Sequence, residues 1–183
     1  MSNSKKVKKI DLVNVDDMRI DHTINIYFEW KQLDARVRTL STRGLNFPSE
    51  LSENLVCFAA GLLLNKGSAG DAFDPVTNKI YEIKGTSTIE NDDLSSFSPS
   101  EEFDELIFAE LNRFNDSVDI YFTGMNSEKL KLIKVNKTET LKQKQEKGQR
   151  PRFSIKKKII EPNNLRPTYT FDLRKRKVIK NNT

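Results

Sequence analysis

The chain of 183 residues carries a net charge of +5 and contains one cysteine, Cys57, and one histidine, His22. This length is typical of a single domain. A lone cysteine excludes an internal disulfide and a CxxC zinc site, and a lone histidine excludes most metal sites built from several imidazoles. The basic N-terminus lacks the apolar segment of a secretory signal and no apolar run is long enough to span a membrane, so we expect a cytoplasmic protein.

The hydrophobic spacing predicts two helices in the first third of the chain. The first covers residues 23–42 and is expected to bury the apolar positions Ile26, Trp30, Leu33, Val37 and Leu40. The second begins near Ser49, its expected N-cap, and ends near Gly67. Residues 70–74 and 80–85 are two strand-like runs separated by Asp-Pro and Asn-Lys dipeptides, a pattern that predicts a β-hairpin.

The later elements follow in mixed order. Residues 86–100 are expected to form a loop, and residues 101–112 a helix whose apolar side holds Phe103, Leu106, Ile107 and Leu111. Strands are predicted at 118–122, 129–135 and 153–160, an exposed loop at 141–152 and a basic tail at 174–180. This order predicts a single α/β domain over residues 1–183, with a mixed central β-sheet flanked by helices.

Basic residues concentrate in the C-terminal third of the chain. Residues 129–183 contain 18 Lys and Arg against 4 Asp and Glu, whereas residues 1–128 contain 13 basic and 22 acidic residues. This asymmetry favours a polyanion such as nucleic acid as the partner of the basic third. The acidic remainder would repel phosphate, and a divalent cation is the simplest bridge between the two. The alternative is a solvated charged surface with a mobile basic tail.

The predicted hairpin carries the arrangement best suited to chemistry. Alternation along a strand places Glu82 and Lys84 on one face, and the hairpin returns Asp71 to their side. Two neighbouring carboxylates and the backbone carbonyl of Ile83 are oxygen ligands suited to Mg²⁺, and an adjacent lysine can orient or deprotonate a water. The alternative is an exposed cross-strand salt-bridge cluster. Asp74 is the rival to Asp71, although its place before Pro75 suits a turn.

Other carboxylates are weaker candidates. Glu53 on the second predicted helix can complete a metal shell through water, and the alternative is a solvent-facing helical side chain. A second Glu-x-Lys tripeptide starts at Glu29, with Asp21 upstream. We reject this set because no turn residue lies between Asp21 and Glu29, so the chain cannot fold back there as a hairpin.

These residues resemble a known nuclease family. Gly70-Asp71 followed by Tyr81-Glu82-Ile83-Lys84-Gly85 resembles the PD-(D/E)xK core, with Ala69-Gly70 where that family often has a proline. Three further segments are similar to short type II restriction endonucleases, in particular those that cleave the interrupted palindrome GCNGC. The segments are residues 43–53, residues 95–104 and residues 148–155.

The resemblance implies a restriction-endonuclease-like fold and a Mg²⁺-dependent endonuclease that cuts both strands of DNA and leaves 5′-phosphate ends. Asp71 and Glu82 would hold the metal, and Lys84 would serve the attacking water. A palindromic site implies a homodimer, and restriction implies a companion DNA methyltransferase. The alternatives are another PD-(D/E)xK nuclease acting in repair or on junctions, or a non-catalytic nucleic-acid-binding protein with an inert hairpin.

Base recognition requires side chains that form paired hydrogen bonds with base edges. Arg150 and Arg152 are our candidates for guanine contacts, with Pro151 stiffening the loop between them, and the alternative is that they contact phosphate only. Other polar side chains of the basic third and of the Ser-Phe-Ser loop are candidate DNA contacts: Ser96, Ser98, Gln143, Lys144, Gln145, Gln149 and Ser154.

Overall fold

The computed structural model describes residues 9–41, 44–87, 94–98 and 102–182. Over this part of the chain, eight strands form one sheet with the order β1-β2-β3-β4-β6-β7-β9-β10, and β5 pairs with β8 in a separate two-stranded sheet. The strands are β1 (Leu12–Val13), β2 (Leu63–Asn65), β3 (Ala72–Asp74), β4 (Lys79–Thr86), β5 (Leu94–Ser96), β6 (Glu105–Asn112), β7 (Ser117–Phe122), β8 (Arg152–Ser154), β9 (Tyr169–Asp172) and β10 (Lys177–Lys180). The helices are α1 (Asp17–Arg38), α2 (Ser49–Ala60), α3 (Ser127–Lys131) and α4 (Leu141–Glu146), with a π-helical turn at Lys156–Ile160.

The large sheet is mixed, which confirms the predicted fold class. Strand β4 pairs with β6 in parallel and with β3 antiparallel. On one face of the central strands, Ile83 and Ala109 belong to an apolar cluster with α1 and α2. On the other face, Leu106 and Phe108 belong to a second cluster that includes residues of α3, α4, β8 and the π-helical turn. The central strands are therefore covered on both sides.

The predicted helix over 101–112 is wrong, because residues 105–112 form β6. Its run Leu106–Ala109 is fully buried, with alternate side chains in the two apolar clusters. A continuous apolar run is typical of a strand covered on both faces, and its spacing alone does not distinguish it from a buried helix. The predicted basic tail is also wrong, because residues 177–180 form β10, antiparallel to β9.

Helix α1 was predicted with the wrong buried face. It begins at Asp17, where the Asp16 side chain accepts a hydrogen bond from the Arg19 amide, six residues before the predicted start. Its buried residues are Ile20, Thr23, Ile24, Tyr27, Trp30 and Asp34, so of the predicted apolar positions only Trp30 is buried. Helix α2 has Pro48 as its N-cap instead of Ser49. It ends at Ala60, with Gly61 as its C-cap, and not near Gly67 as predicted.

Three further predictions in the later part of the chain need correction. The predicted strand at 129–135 contains the end of α3, which begins after the Asn126 cap. The predicted loop at 141–152 begins with α4, whose Thr140–Gln143 capping box stabilises its first turn. The predicted strand at 153–160 is limited to the end of β8, and the π-helical turn follows. Within the predicted loop at 86–100, residues 94–96 form β5, whereas 88–93 and 99–100 lie outside the described residues.

A buried carboxylate connects α1 to the sheet. Asp116, in the turn between β6 and β7, accepts hydrogen bonds from the Tyr27 hydroxyl at 2.6 Å and from Lys31, and pairs with Arg174 at 2.5 Å. Burial acts to raise the pKa of Asp116, but the hydrogen bonds from Lys31 and Tyr27 hold it below its ordinary value. Asp116 therefore stays ionised and joins three distant parts of the chain.

Candidate active site

The β3–β4 hairpin brings Asp71 to β4 as predicted. The Asp71 amide donates to the Tyr81 carbonyl at 2.8 Å, and the Asp71 carboxylate accepts from the Ile83 amide at 2.7 Å. Gly70 precedes it with a φ of +69°, and a Cβ atom there would lie 2.4 Å from the Ile80 side chain. A glycine is required because the chain turns in the left-handed region directly against β4. A proline cannot adopt this left-handed conformation, so residue 70 differs from the proline of the PD-(D/E)xK pattern that the sequence resembles.

Glu82 and Lys84 lie side by side on β4. Their side chains form an ion pair and are 7% and 22% exposed, respectively. The Lys84 ammonium also lies 5.5 Å from the centre of the Phe97 ring, within the range of a cation–π contact. Phe97 is 1% exposed and belongs to the apolar cluster that contains Phe108, so it contacts Lys84 from within the core. Phe97 and Glu82 thus hold the ammonium group on two sides.

Helix α2 places Glu53 in the same electrostatic environment. The helix approaches β4 so closely that a Cβ atom on Gly85 would lie 2.6 Å from Ser52. Burial, and then the negative charges of Asp71 and Glu50, raise the pKa of Glu53 to about 7, while the positive charge of Lys84 acts to lower it. Glu53 is therefore not the solvent-facing helical side chain of the alternative interpretation.

The donor set suits a hard cation. The N–H and C=O of one strand residue point to the same edge of a strand, so the Ile83 carbonyl faces the edge at which Asp71 binds the Ile83 amide. Asp71, Glu82 and this carbonyl provide oxygen ligands of the kind that Mg²⁺ prefers. No group of three or more His, Cys, Asp and Glu side chains within the described ranges forms a metal cluster. The fit therefore depends on two carboxylates and a backbone oxygen.

The structure brings together four of the candidate DNA contacts beside Phe97. Ser96 is opposite Arg152 in the β5–β8 pair, and the Arg152 guanidinium donates to the Leu94 carbonyl at 3.2 Å. Gln145 donates to the Phe97 carbonyl at 3.4 Å. Ser98, Gln145 and Phe97 line one small surface depression. Phe97 stacks on Phe153 with ring centres 5.2 Å apart. Phe97 therefore lies between the candidate DNA contacts and Lys84 and supports both.

The remaining candidates are in different environments. Gln149 and Arg150 are exposed in the segment after α4. Gln143 is engaged in the capping box, and Lys144 pairs with Glu139 at 2.8 Å. Ser154 is 6% exposed and its hydroxyl accepts from the Lys157 amide, so it supports the segment and presents no hydroxyl to DNA in this conformation.

Comparisons with known proteins identify the family of the chain. Residues 15–162 match the family model described as Bsp6I restriction endonuclease. Over 170 residues the chain is 48% identical to the type II restriction enzyme Bsp6I of Bacillus sp. (strain RFL6), in an alignment that covers 93% of this chain and 97% of that protein. No solved structure matches the chain significantly. In the described ranges, no helix is long and apolar enough to cross a membrane. The chain belongs to the Bsp6I restriction endonuclease family and is a type II site-specific endonuclease.

The raised pKa of Glu53 predicts a pH-dependent effect of Glu53→Gln on stability. The folded pKa of about 7 lies above the ordinary value of 4.5, so ionisation of Glu53 opposes folding. This cost is absent below pH 4.5, grows as the pH rises, and is complete above pH 7. We expect Glu53→Gln to raise the free energy of unfolding by about 2 kcal/mol at pH 8. Near pH 4.5 it should have little effect.

Urea unfolding in EDTA at both pH values measures this difference, and Glu161→Gln, at an exposed position after the π-helical turn, is the control. An equal effect of Glu53→Gln at both pH values would contradict the burial and charge crowding assigned to Glu53.

Proposed function

We propose that this type II restriction endonuclease hydrolyses both strands of DNA in a Mg²⁺-dependent reaction that leaves 5′-phosphate ends. The observation that carries the proposal is the hydrogen bond from the Ile83 amide to the Asp71 carboxylate, which brings Asp71 to the strand that bears the Glu82–Lys84 ion pair. An acidic pair, a strand carbonyl and a lysine form the residue set of the PD-(D/E)xK core. We assign the chain to that superfamily.

Each residue has a distinct role in the proposed reaction. Asp71, Glu82 and the Ile83 carbonyl would hold Mg²⁺, which would act as a Lewis acid and supply an activated water. Lys84 orients the attacking water and offsets the negative charge that develops on the phosphate. Glu82 and Phe97 keep the Lys84 ammonium in place, and this preorganisation avoids reorientation during the reaction. Glu53, whose pKa is raised in part by the charge of Asp71, assists the site through water.

The proposed substrate is a GC-rich interrupted palindrome, GCNGC, on the basis of the sequence resemblance. A palindrome is read by a protein with the same twofold symmetry, so we propose a homodimer. A nuclease of this type requires a companion DNA methyltransferase that protects the cell's own sites, and we place both in the cytoplasm. The chain acts as a single domain in this proposal. Phosphate contacts from its basic third, residues 129–183, contribute most of the affinity for DNA.

Among the candidate base readers, Arg150 is the strongest. It is exposed and makes no hydrogen bond or ion pair with another described residue, whereas Arg152 donates to the Leu94 carbonyl. A guanidinium can donate two parallel hydrogen bonds to guanine O6 and N7. We therefore propose that Arg150 reads guanine and that Arg152, Gln145 and Ser96 act beside it.

Digestion of plasmid DNA tests the reaction. We expect discrete fragments with 5′-phosphate ends in Mg²⁺ and no cleavage in EDTA, because the carboxylates alone cannot activate water. Sequencing the ends gives the recognition site and the stagger. Cleavage that persists in EDTA would contradict the metal proposal, and cleavage confined to branched DNA would indicate a repair or junction nuclease. DNA binding without cleavage would contradict hydrolysis.

Lys84→Ala tests the assignment of the site. We expect kcat to fall at least ~100-fold, because the lysine acts on the attacking water and on the charge at phosphate. The affinity for DNA in Ca²⁺ should change less than about threefold. Lys79→Ala is the matched control, since Lys79 lies on the same strand and is half exposed. Wild-type cleavage by Lys84→Ala would show that Lys84 is not part of the catalytic site.

Arg150→Ala tests base recognition. We expect a loss of ~10- to 100-fold in affinity for the cognate site and a smaller loss for unrelated DNA, because a bidentate contact with guanine contributes about 1–3 kcal/mol. Lys158→Ala, at an exposed position of the π-helical turn, is the control. It should weaken binding to all sequences alike and reduce the salt slope. Fluorescence anisotropy at several salt concentrations measures both, and an equal loss on every DNA by Arg150→Ala would identify Arg150 as a phosphate contact.

A further inference from the structure

The outer face of α1 carries an apolar stripe. Ile26, Leu33 and Leu40 are 38%, 51% and 89% exposed. They are seven residues apart, so each lies only about 20° around the helix from the one before it. Leu40 follows the end of α1, where its amide donates to the Val37 carbonyl at 2.9 Å and continues the helical path. All three were expected to be buried, and within the described part of the chain they have no partner that buries them.

The stripe lies away from the candidate DNA contacts. The opposite side of α1, with Ile24 and Tyr27, packs into the apolar cluster that contains Ile83. Phe97, which supports Lys84, belongs to the cluster on the other face of the sheet. Occupation of the α1 stripe therefore leaves the β5–β8 segment accessible to DNA.

The charges along the stripe are arranged almost symmetrically. Glu29 and Arg36 lie on this side of α1, both are exposed, and neither forms an ion pair with another described residue. Their positions are four residues before and three residues after Leu33, and Ile26 and Leu40 are each seven residues from it. A stripe with this symmetry is complementary to itself when two copies run antiparallel, because Ile26 then faces Leu40 and Glu29 faces Arg36.

We propose that α1 forms the centre of a twofold interface with a second copy of this chain, in which the two helices pair antiparallel and the axis passes beside Leu33. The 22-residue helix is about 33 Å long, sufficient for the apolar centre of an interface of standard size, and the flanking charges form a polar rim. The interface lies on the side of the sheet opposite the candidate DNA contacts, so the inference goes beyond the proposed reaction and does not depend on it.

Leu33→Glu tests the interface. The substitution places two carboxylates together at the axis, so we expect the dissociation constant of the dimer to rise at least ~30-fold, the effect of losing a central contact. Sedimentation velocity over a dilution series measures the change, and circular dichroism verifies folding. Val76→Glu introduces the same charge at an 87% exposed apolar position in the turn between β3 and β4, and should leave the dimer unchanged.

Charge reversal tests the antiparallel geometry. Glu29→Arg alone brings two arginines together at each pair and Arg36→Glu alone brings two glutamates together, so each variant should dimerise about 10-fold more weakly. A mixture of the two variants restores both pairs, because the arginine introduced at position 29 of one copy then faces the glutamate introduced at position 36 of the other. We expect the mixture to form heterodimers with wild-type affinity, and a surface whose charges play only a solvating role would not produce this rescue.

The outcomes separate this inference from the proposed reaction. A monomeric wild-type protein, a dimer unaffected by Leu33→Glu, or charge variants without mutual rescue would each overturn the interface. Plasmid cleavage in Mg²⁺ is scored independently. A protein that cleaves DNA but lacks the α1 interface would overturn only the interface. An α1-dependent dimer without cleavage would overturn only the proposed reaction.

Discussion

The candidate site depends on the register between residue 71 and β4. The Asp71 amide binds the Tyr81 carbonyl, and the Asp71 carboxylate binds the Ile83 amide two residues further along. A shift of one residue would turn Glu82 and Lys84 to the opposite face and separate them from Asp71. The register is specified by Gly70, whose left-handed backbone and close contact with Ile80 admit no side chain. A small conformational requirement thus positions the charged groups of the site.

The parallel pairing of β4 with β6 divides the molecule into two functional sides. Side chains at alternate positions of these strands enter different apolar clusters, one beneath α1 and α2 and the other beneath the basic C-terminal elements. Glu53 approaches the site from the first side and Phe97 from the second. Because the Phe97 carbonyl also accepts a hydrogen bond from Gln145 and its ring stacks on Phe153, the segment proposed to read bases and the lysine proposed to cleave are connected through one residue.

Burial acts to raise the pKa of both Asp116 and Glu53, but the groups beside these two carboxylates act in opposite directions. At Asp116, hydrogen bonds from Lys31 and Tyr27 outweigh burial and keep the pKa low, so this carboxylate acts as a stable structural anchor. At Glu53, burial and neighbouring carboxylates act together and raise the pKa to about 7, so the folded protein holds excess negative charge near Asp71. Charge concentration of this kind costs stability and is typical of functional sites, where a bound cation offsets it.

The sequence by itself determined the hairpin and the convergence of Asp71, Glu82 and Lys84, because turn residues and strand alternation are local signals within about fifteen residues. It also determined the separation of an acidic body from a basic third. Only the tertiary structure decided that residues 105–112 form a strand, since a continuous apolar run becomes unambiguous only between two packed layers. The buried face of α1 likewise depends on distant partners: Tyr27 bonds to Asp116, 89 residues away, and Asp34 binds Arg113, 79 residues away. Spacing along one helix carries no record of such contacts, and for that reason the side with the more regular apolar pattern is the one that faces outward.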